Sequence, residues 1–163
     1  MWQRINACNK KRTKIFRFMI LMNNKMLTFI QRKGRDSIRL SMKLSEILKA
    51  GVREMDGCYF LNYFLEENSQ YSSDVFEDLT SYESFMNGFH VEDYCTRHVI
   101  ENSFHFSVRL AKLQKGTCKY RIVLSIDKQN DCYITFHSVH QGEPEWIDQT
   151  GIDFCSECIA IFM

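Results

Sequence analysis

A chain of 163 residues, 45% apolar and 25% charged, can bury one substantial core and has the composition of an ordinary soluble domain. Its formal net charge of +1 hides two opposite halves. Residues 1–50 carry 13 Lys or Arg against Asp36 and Glu46, whereas residues 51–163 carry 8 basic and 18 acidic side chains. A body that acidic repels nucleic acid and anionic membrane and attracts a basic partner at long range.

The seven cysteines (Cys8, Cys58, Cys95, Cys118, Cys132, Cys155 and Cys158) are odd in number and irregular in spacing. No secretion signal accompanies them, so reduced, mostly buried thiols in a cytoplasmic protein are expected rather than a disulfide framework. Lys10, Lys11, Arg12 and Lys14 precede the apolar stretch Ile15–Met22, but Arg17 interrupts it and Asn23, Asn24 and Lys25 follow where a cleavage site would stand. Eight residues are also too few to span a bilayer. Met22 and Met26 offer alternative starts, so residues 1–25 read as an extension and residues 26–163 as a single domain.

In chain order, Met26–Ile30 reads as a short strand. Ser37–Val52 places Ile38, Met42, Ile47 and Leu48 among charged residues and reads as a basic amphipathic helix. Gly51 and Gly57 bracket an expected loop, and the aromatic-dense Cys58–Leu65 is strand-prone or deeply buried. Ser72, Ser73 and Asp74 can cap a short helix over Val75–Leu79, and Ser81 can cap another over Tyr82–Asn87, with Tyr82, Phe85 and Met86 on one face. Val91–Glu101 has helical spacing and carboxylates in its first turn.

Beyond Asn102 the period changes to two. Phe104–Leu113, Tyr120–Ile126 and Cys132–Val139, joined by turns at Gln114–Thr117 and Asp127–Asp131, read as an antiparallel meander. Gly142–Glu145 is a loop, and Phe154–Phe162 is a closing apolar element. Helices followed by a meander predict an α+β fold, with the N-terminal and central helices packed on one sheet face.

Three chemistries compete for the polar residues. Cys155 and Cys158 could join His137 and His140 in a two-Cys, two-His zinc site. On a strand, positions three apart face opposite ways, which argues against that set; no metal or other cofactor is expected. Pairs among His90, His98, His105, His137 and His140 could serve a small RNA-processing enzyme, yet no phosphate loop or nucleophile motif accompanies them. Arg32, Lys33, Arg35, Arg39, Lys43 and Lys49 could serve a nucleic-acid-binding regulator, but they are scattered and lack a docking motif. Nucleic acid and membrane are therefore disfavoured as partners, as is a small-molecule substrate.

The acidic run is the strongest signal. Glu66, Glu67, Asp74, Glu77, Asp78, Glu83, Glu92, Asp93 and Glu101 fall in 36 residues that hold one basic residue, Arg97. Tyr71, Phe76, Tyr82 and Tyr94 are interleaved with them, and Glu143, Glu145, Asp148 and Asp153 surround Trp146. Aromatic anchors ringed by carboxylates suit capture of a basic protein, with charge setting the on-rate and buried rings the lifetime. The expected contact residues are Asp74, Glu77, Asp78, Tyr82, Glu92, Asp93, Tyr94 and Trp146.

The segment Leu79-Thr-Ser-Tyr-Glu-Ser-Phe-Met-Asn-Gly-Phe-His-Val-Glu-Asp-Tyr94, followed by a three-stranded meander, resembles bacterial immunity proteins of contact-dependent growth inhibition systems. The resemblance is one of pattern, over roughly residues 70–140, and carries no catalytic motif. It implies a small cytoplasmic, non-enzymatic protein that neutralises one cognate toxin domain, often a basic nuclease, by covering its active site. The basic N-terminal half and the Cys-rich C-terminus depart from that pattern.

Overall fold

The computed structural model describes residues 19–33, 39–113 and 120–163. These residues form one α+β unit. Its elements are β1 (Ile20–Met22), α1 (Asn24–Lys33), α2 (Met42–Ala50), β2 (Val52–Met55), β3 (Cys58–Leu61), α3 (Leu79–Met86), β4 (Phe89–His90), α4 (Val99–Lys112), β5 (Tyr120–Ile126), β6 (Cys132–Ser138) and β7 (Cys158–Phe162). Five strands make an antiparallel sheet in the order β1-β7-β5-β6-β4, and β2 and β3 form a separate hairpin.

The sheet forms where β-branched and aromatic residues are densest. β5 lies between β6 and β7, with Leu124 opposite both Ile134 and Ala160, so both its edges are paired. Tyr120, Ile122, Leu124 and Ile126 face one core and Val123 the other, with Arg121 and Ser125 half-buried. The β5–β6 turn is set by Asp127, whose Oδ1 accepts the N–H groups of Gln129 and Asp131 at 2.8 and 2.9 Å. One sheet face packs Ile122, Leu124, Ile134, Phe136 and Phe162 in a core with Phe106 and Leu110 of α4. The opposite face presents Leu21, Val123, Ile159 and Ile161 to Ile147, Ile152 and Cys155 of the segment before β7, not to a helix.

The expected strand at Phe104–Leu113 is instead the second half of α4. The buried residues of α4 are Ile100, Asn102, Ser103, Phe106, Ser107, Leu110 and Ala111, a helical spacing. Two of its inward positions are serines whose hydroxyls donate to the carbonyls four residues back, Ser103 to Val99 and Ser107 to Ser103. The expected meander is therefore not formed: β5 and β6 make a hairpin, and β7 crosses over to pair with the other edge of β5. The expected turn at Gln114–Thr117 lies outside the described residues.

Other expectations shift in similar ways. Met26–Ile30 lies within α1, because Asn23 accepts the Met26 N–H at 2.9 Å and caps a helix there. β1 precedes residue 26 and pairs with β7 from Ile20↔Phe162 to Met22↔Ala160, so the folded unit begins upstream of the expected boundary. The basic helix is confined to Met42–Ala50 with Ser41 as its cap. Gly51 and Gly57 flank β2, not a loop; Asp56 and Gly57 take positive φ at the hairpin turn. Only Ser73–Val75 is a 3-10 turn where Val75–Leu79 was expected to be helical, and Asp78 rather than Ser81 caps α3. Val91–Glu101 divides into a 3-10 turn at Val91–Asp93 and the start of α4, separated by His98 in the left-handed region at φ 53°.

Among the described residues no helix is long and apolar enough to cross a membrane. The cysteines among them, Cys58, Cys95, Cys132, Cys155 and Cys158, are all free thiols.

Candidate functional site

The segment before α3 lacks apolar periodicity and makes only short turns, with Ser72 Oγ accepting the Asp74 N–H. It carries its rings onto the outer side of α3. Tyr71 packs edge-on against Phe85 with ring centroids 4.8 Å apart, and Phe76 stacks against both Phe85 and Tyr82 at 5.2 and 5.3 Å. Tyr82 also meets Phe60 of β3, and its hydroxyl donates to the Tyr71 carbonyl at 3.4 Å. Much of this cluster faces solvent: Val75 is 71% exposed, Phe85 43% and Tyr71 39%. Asp74 and Glu77 flank Val75 and Phe76, and both are exposed, as are Glu66 and Glu67 at the start of the same segment. Residues 54–96 contain ten carboxylates and no Lys or Arg, so no nearby chain position supplies a neutralising cation.

The patch gathers three of the four aromatic residues singled out from sequence and adds one. Phe85 was expected on a shared face with Tyr82 and Met86; the helix instead buries Met86 and leaves Phe85 outside. Tyr94 sits elsewhere, among the rings of Tyr63, Phe64 and Phe89. Asp93 is exposed but lines a shallow cleft with Arg39, Lys43 and Arg97, so cations lie beside it.

Two other expected contact carboxylates, Asp78 and Glu92, are engaged within the fold, as is Glu143. Asp78 Oδ1 accepts the Ser81 N–H at 2.6 Å, and Glu143 Oε2 takes both the N–H and the hydroxyl of Thr80 at 2.8 and 2.9 Å. Together they satisfy the first turn of α3. Glu92 Oε1 accepts the Cys132 N–H at 2.6 Å. Trp146 is exposed, but the carboxylates around it are used locally. Glu145 pairs with Arg121 at 3.2 Å, Asp148 closes a turn on Thr150, and Asp153 accepts the first N–H of α1 from Asn24. The second acidic group therefore does not form a free rim.

Beneath the patch lies a buried polar centre that the sequence did not reveal. Glu83 of α3 and Asn87, which caps the C-terminal end of that helix, reach between β3 and the part of β6 that the two-residue β4 leaves unpaired. Glu83 accepts the N–H of Tyr59 and that of Ser138, the latter at 2.6 Å, together with the Ser138 hydroxyl and His140 Nε2 at 2.9 and 3.0 Å. Asn87 accepts the Leu61 N–H and donates to the Tyr59 and Phe136 carbonyls, at 2.8, 2.8 and 3.1 Å. Two side chains thus do the work of a missing strand between two sheet edges. Cys58 adjoins this centre, and burial, reinforced by the charge of Glu83, pushes its thiol up to about 12. A buried thiol held in its protonated form does not provide a nucleophile.

His137 is also buried. Its Nδ1–H donates to the Ser138 carbonyl at 2.7 Å, and its Nε2 accepts the Trp146 N–H at 3.4 Å, which defines a neutral ring. Desolvation holds its pKa below the ordinary value of 6.5. The unfolded chain takes up a proton here near pH 6.5 while the folded chain resists it, so the stability is fully present above pH 6.5 and is lost as pH falls through that value. Denaturant midpoints at pH 7.5 and 5.5 should therefore drop more for the wild type than for a His137→Asn variant; equal drops would refute the assignment. Cys155 and Cys158 do not join His137 or His140 as a ligand set: the one group of metal-capable side chains among the described residues is Cys58, Glu83 and His140.

Of the basic residues considered for nucleic acid, Arg39, Lys43 and Lys49 are exposed on or just before α2. Arg35 lies outside the described residues, as do the side chains of Arg32 and Lys33.

The uncharacterized protein PM0498 family matches residues 21–162. The uncharacterized protein PM0498 of Pasteurella multocida (strain Pm70) is 30% identical over 138 residues, covering 77% of this chain and 87% of that protein. No solved structure matches.

Proposed function

The chain belongs to the PM0498 family, and we propose that it is a non-enzymatic binding protein whose acidic aromatic face captures a basic protein. The observation that carries this reading is the Tyr71, Phe76, Tyr82 and Phe85 cluster, partly exposed, flanked by Asp74 and Glu77 in a stretch without any Lys or Arg. An exposed ring cluster of this kind gains by being covered, and rigid aromatic side chains lose little entropy when it is. The surrounding negative potential selects the sign of the partner and speeds its approach.

Contact-dependent growth inhibition supplies the biological setting that suits these features best. A cytoplasmic immunity protein of that kind neutralises a toxin by occlusion: its carboxylates engage the Lys and Arg that a nuclease toxin uses on phosphates, while its rings exclude water from the contact.

A photo-crosslinking amino acid placed at position 85, with position 55 as an exposed control, tests the reading in the host cell. The expected result is one basic protein captured from position 85 only. Its association with the purified chain should slow at least tenfold between about 50 and 300 mM salt, because the attraction is screened. Asp74→Lys with Glu77→Lys should slow association by a similar factor at low salt. Capture of an acidic protein, no capture from position 85, or a salt-independent rate would each overturn the proposal.

A further inference from the structure

We infer that Cys58, Glu83 and His140 form a site for a single divalent cation of the zinc class. This goes beyond the binding face and does not depend on it. One sulfur, one carboxylate oxygen and one imidazole nitrogen lie within 4.8 Å of one another. They come from three separate elements: β3, α3 and the turn after β6. Cys58 and Glu83 are 2% and 0% exposed, whereas the His140 side chain is 13% exposed and forms the solvent side of the site.

The donor set has the chemistry of a borderline-soft ion. Thiolate, imidazole and carboxylate together favour zinc over magnesium or calcium, which demand oxygen ligands. Three protein donors leave a fourth position for water. The carboxylate is held in place: the Ser138 N–H donates to one of its oxygens at 2.6 Å and the Tyr59 N–H to the other, the outer hydrogen bonds that orient a metal ligand. Glu83 also carries its charge into the interior with His140 as its one ion-pair partner among the described residues, and a cation there offsets the cost of burying it.

The thiol responds to the same environment. The carboxylates of Glu83, Glu143 and Asp56 all act with burial to keep Cys58 protonated near neutral pH. Those charges attract a cation, and the ion in turn makes the thiolate favourable. On binding, the Cys58 S–H bond breaks, the sulfur–metal bond forms and the proton leaves to solvent. His140 binds through Nε2 as a neutral ring with its proton on Nδ1, so its present hydrogen bond to Glu83 at 3.0 Å gives way to a shared ion. The sequence pattern disfavours a metal on His140 with Cys155 and Cys158; in the inferred site its companions are Cys58 and Glu83 instead.

Titration of the full chain with cobalt(II), as a coloured substitute for zinc, tests the site. The expected result is a thiolate-to-cobalt charge-transfer band in the near ultraviolet, saturating at one equivalent and abolished by one equivalent of zinc. The band should persist when Cys155 and Cys158 are both replaced by Ser, and it should disappear in Cys58→Ser. His140→Ala, at the solvent side of the site, should weaken cobalt binding at least tenfold and keeps the test open if Cys58→Ser fails to fold. No band in the wild type, or a band unchanged in His140→Ala, would overturn the site.

Discussion

Asn87→Asp should destabilise the protein more than Asn87→Ala does, by about 4 or more against about 2–3 kcal/mol, although Asp is the closer match in shape. The Asn87 side chain is fully buried, and its two ends have different tasks. Its oxygen accepts from the Leu61 N–H, and its nitrogen donates to the Tyr59 and Phe136 carbonyls. Alanine removes all three bonds from the interior. Aspartate keeps the bond to Leu61 but points an oxygen at two carbonyl oxygens and buries a charge there. Equilibrium urea unfolding gives the order directly, provided the denaturant slopes agree. If Asp is tolerated better than Ala, the amide is not the joint between β3 and β6.

That joint marks the boundary of what the sequence made legible. β5 and β6 and the Asp127–Asp131 turn stood out because local pattern and local chemistry agree there: a strand-length apolar segment, a turn-forming aspartate, and a second such segment. The joints are made by Asn23, Asn87 and Asn102, all buried. Asn23 bridges the start of α1 to Glu157 and Ile159, and Asn102 accepts from Ser41 across 61 residues. A polar residue that serves the backbone of a distant segment looks, in one dimension, like a surface residue.

The acidic face was partly legible for the same reason. Asp74 and Glu77 are exposed, and the sequence places no Lys or Arg near them; Asp74 accepts the Ser72 hydroxyl at 3.3 Å. Asp78 caps its own helix three residues on, a relation visible locally, whereas the partners of Glu92 and Glu143 lie 40 and 63 residues away and are not. The charge run was real, and the fold divided it. One part stabilises α3 and β6, and the remainder stays exposed beside the Tyr71–Phe85 cluster.

Ser107→Glu should cost about 4 kcal/mol or more, while Val108→Glu, one residue on, should cost about 1. The contrast tests the largest difference between pattern and fold. A strand over Phe104–Leu113 would turn Phe104, Phe106 and Val108 inward and leave Ser107 in water, so glutamate would be harmless at 107 and severe at 108. The helix reverses this. Ser107 is fully buried, and its hydroxyl is satisfied by the Ser103 carbonyl of its own helix. Glutamate there drives a charged group into the sheet-facing side with no cation on α4 nearer than Arg109, which is exposed. Val108 is half-buried at the edge of the core, and a longer side chain can turn its carboxylate toward solvent. Thermal unfolding of the two variants should separate them by roughly 6–12 °C, since about 1 kcal/mol moves the midpoint of a domain of this size by about 2–4 °C. The physical root is that a serine can spend its hydroxyl on its own helix. Twice in α4 it does so, and a polar letter then occupies a core position at no cost to the packing around it.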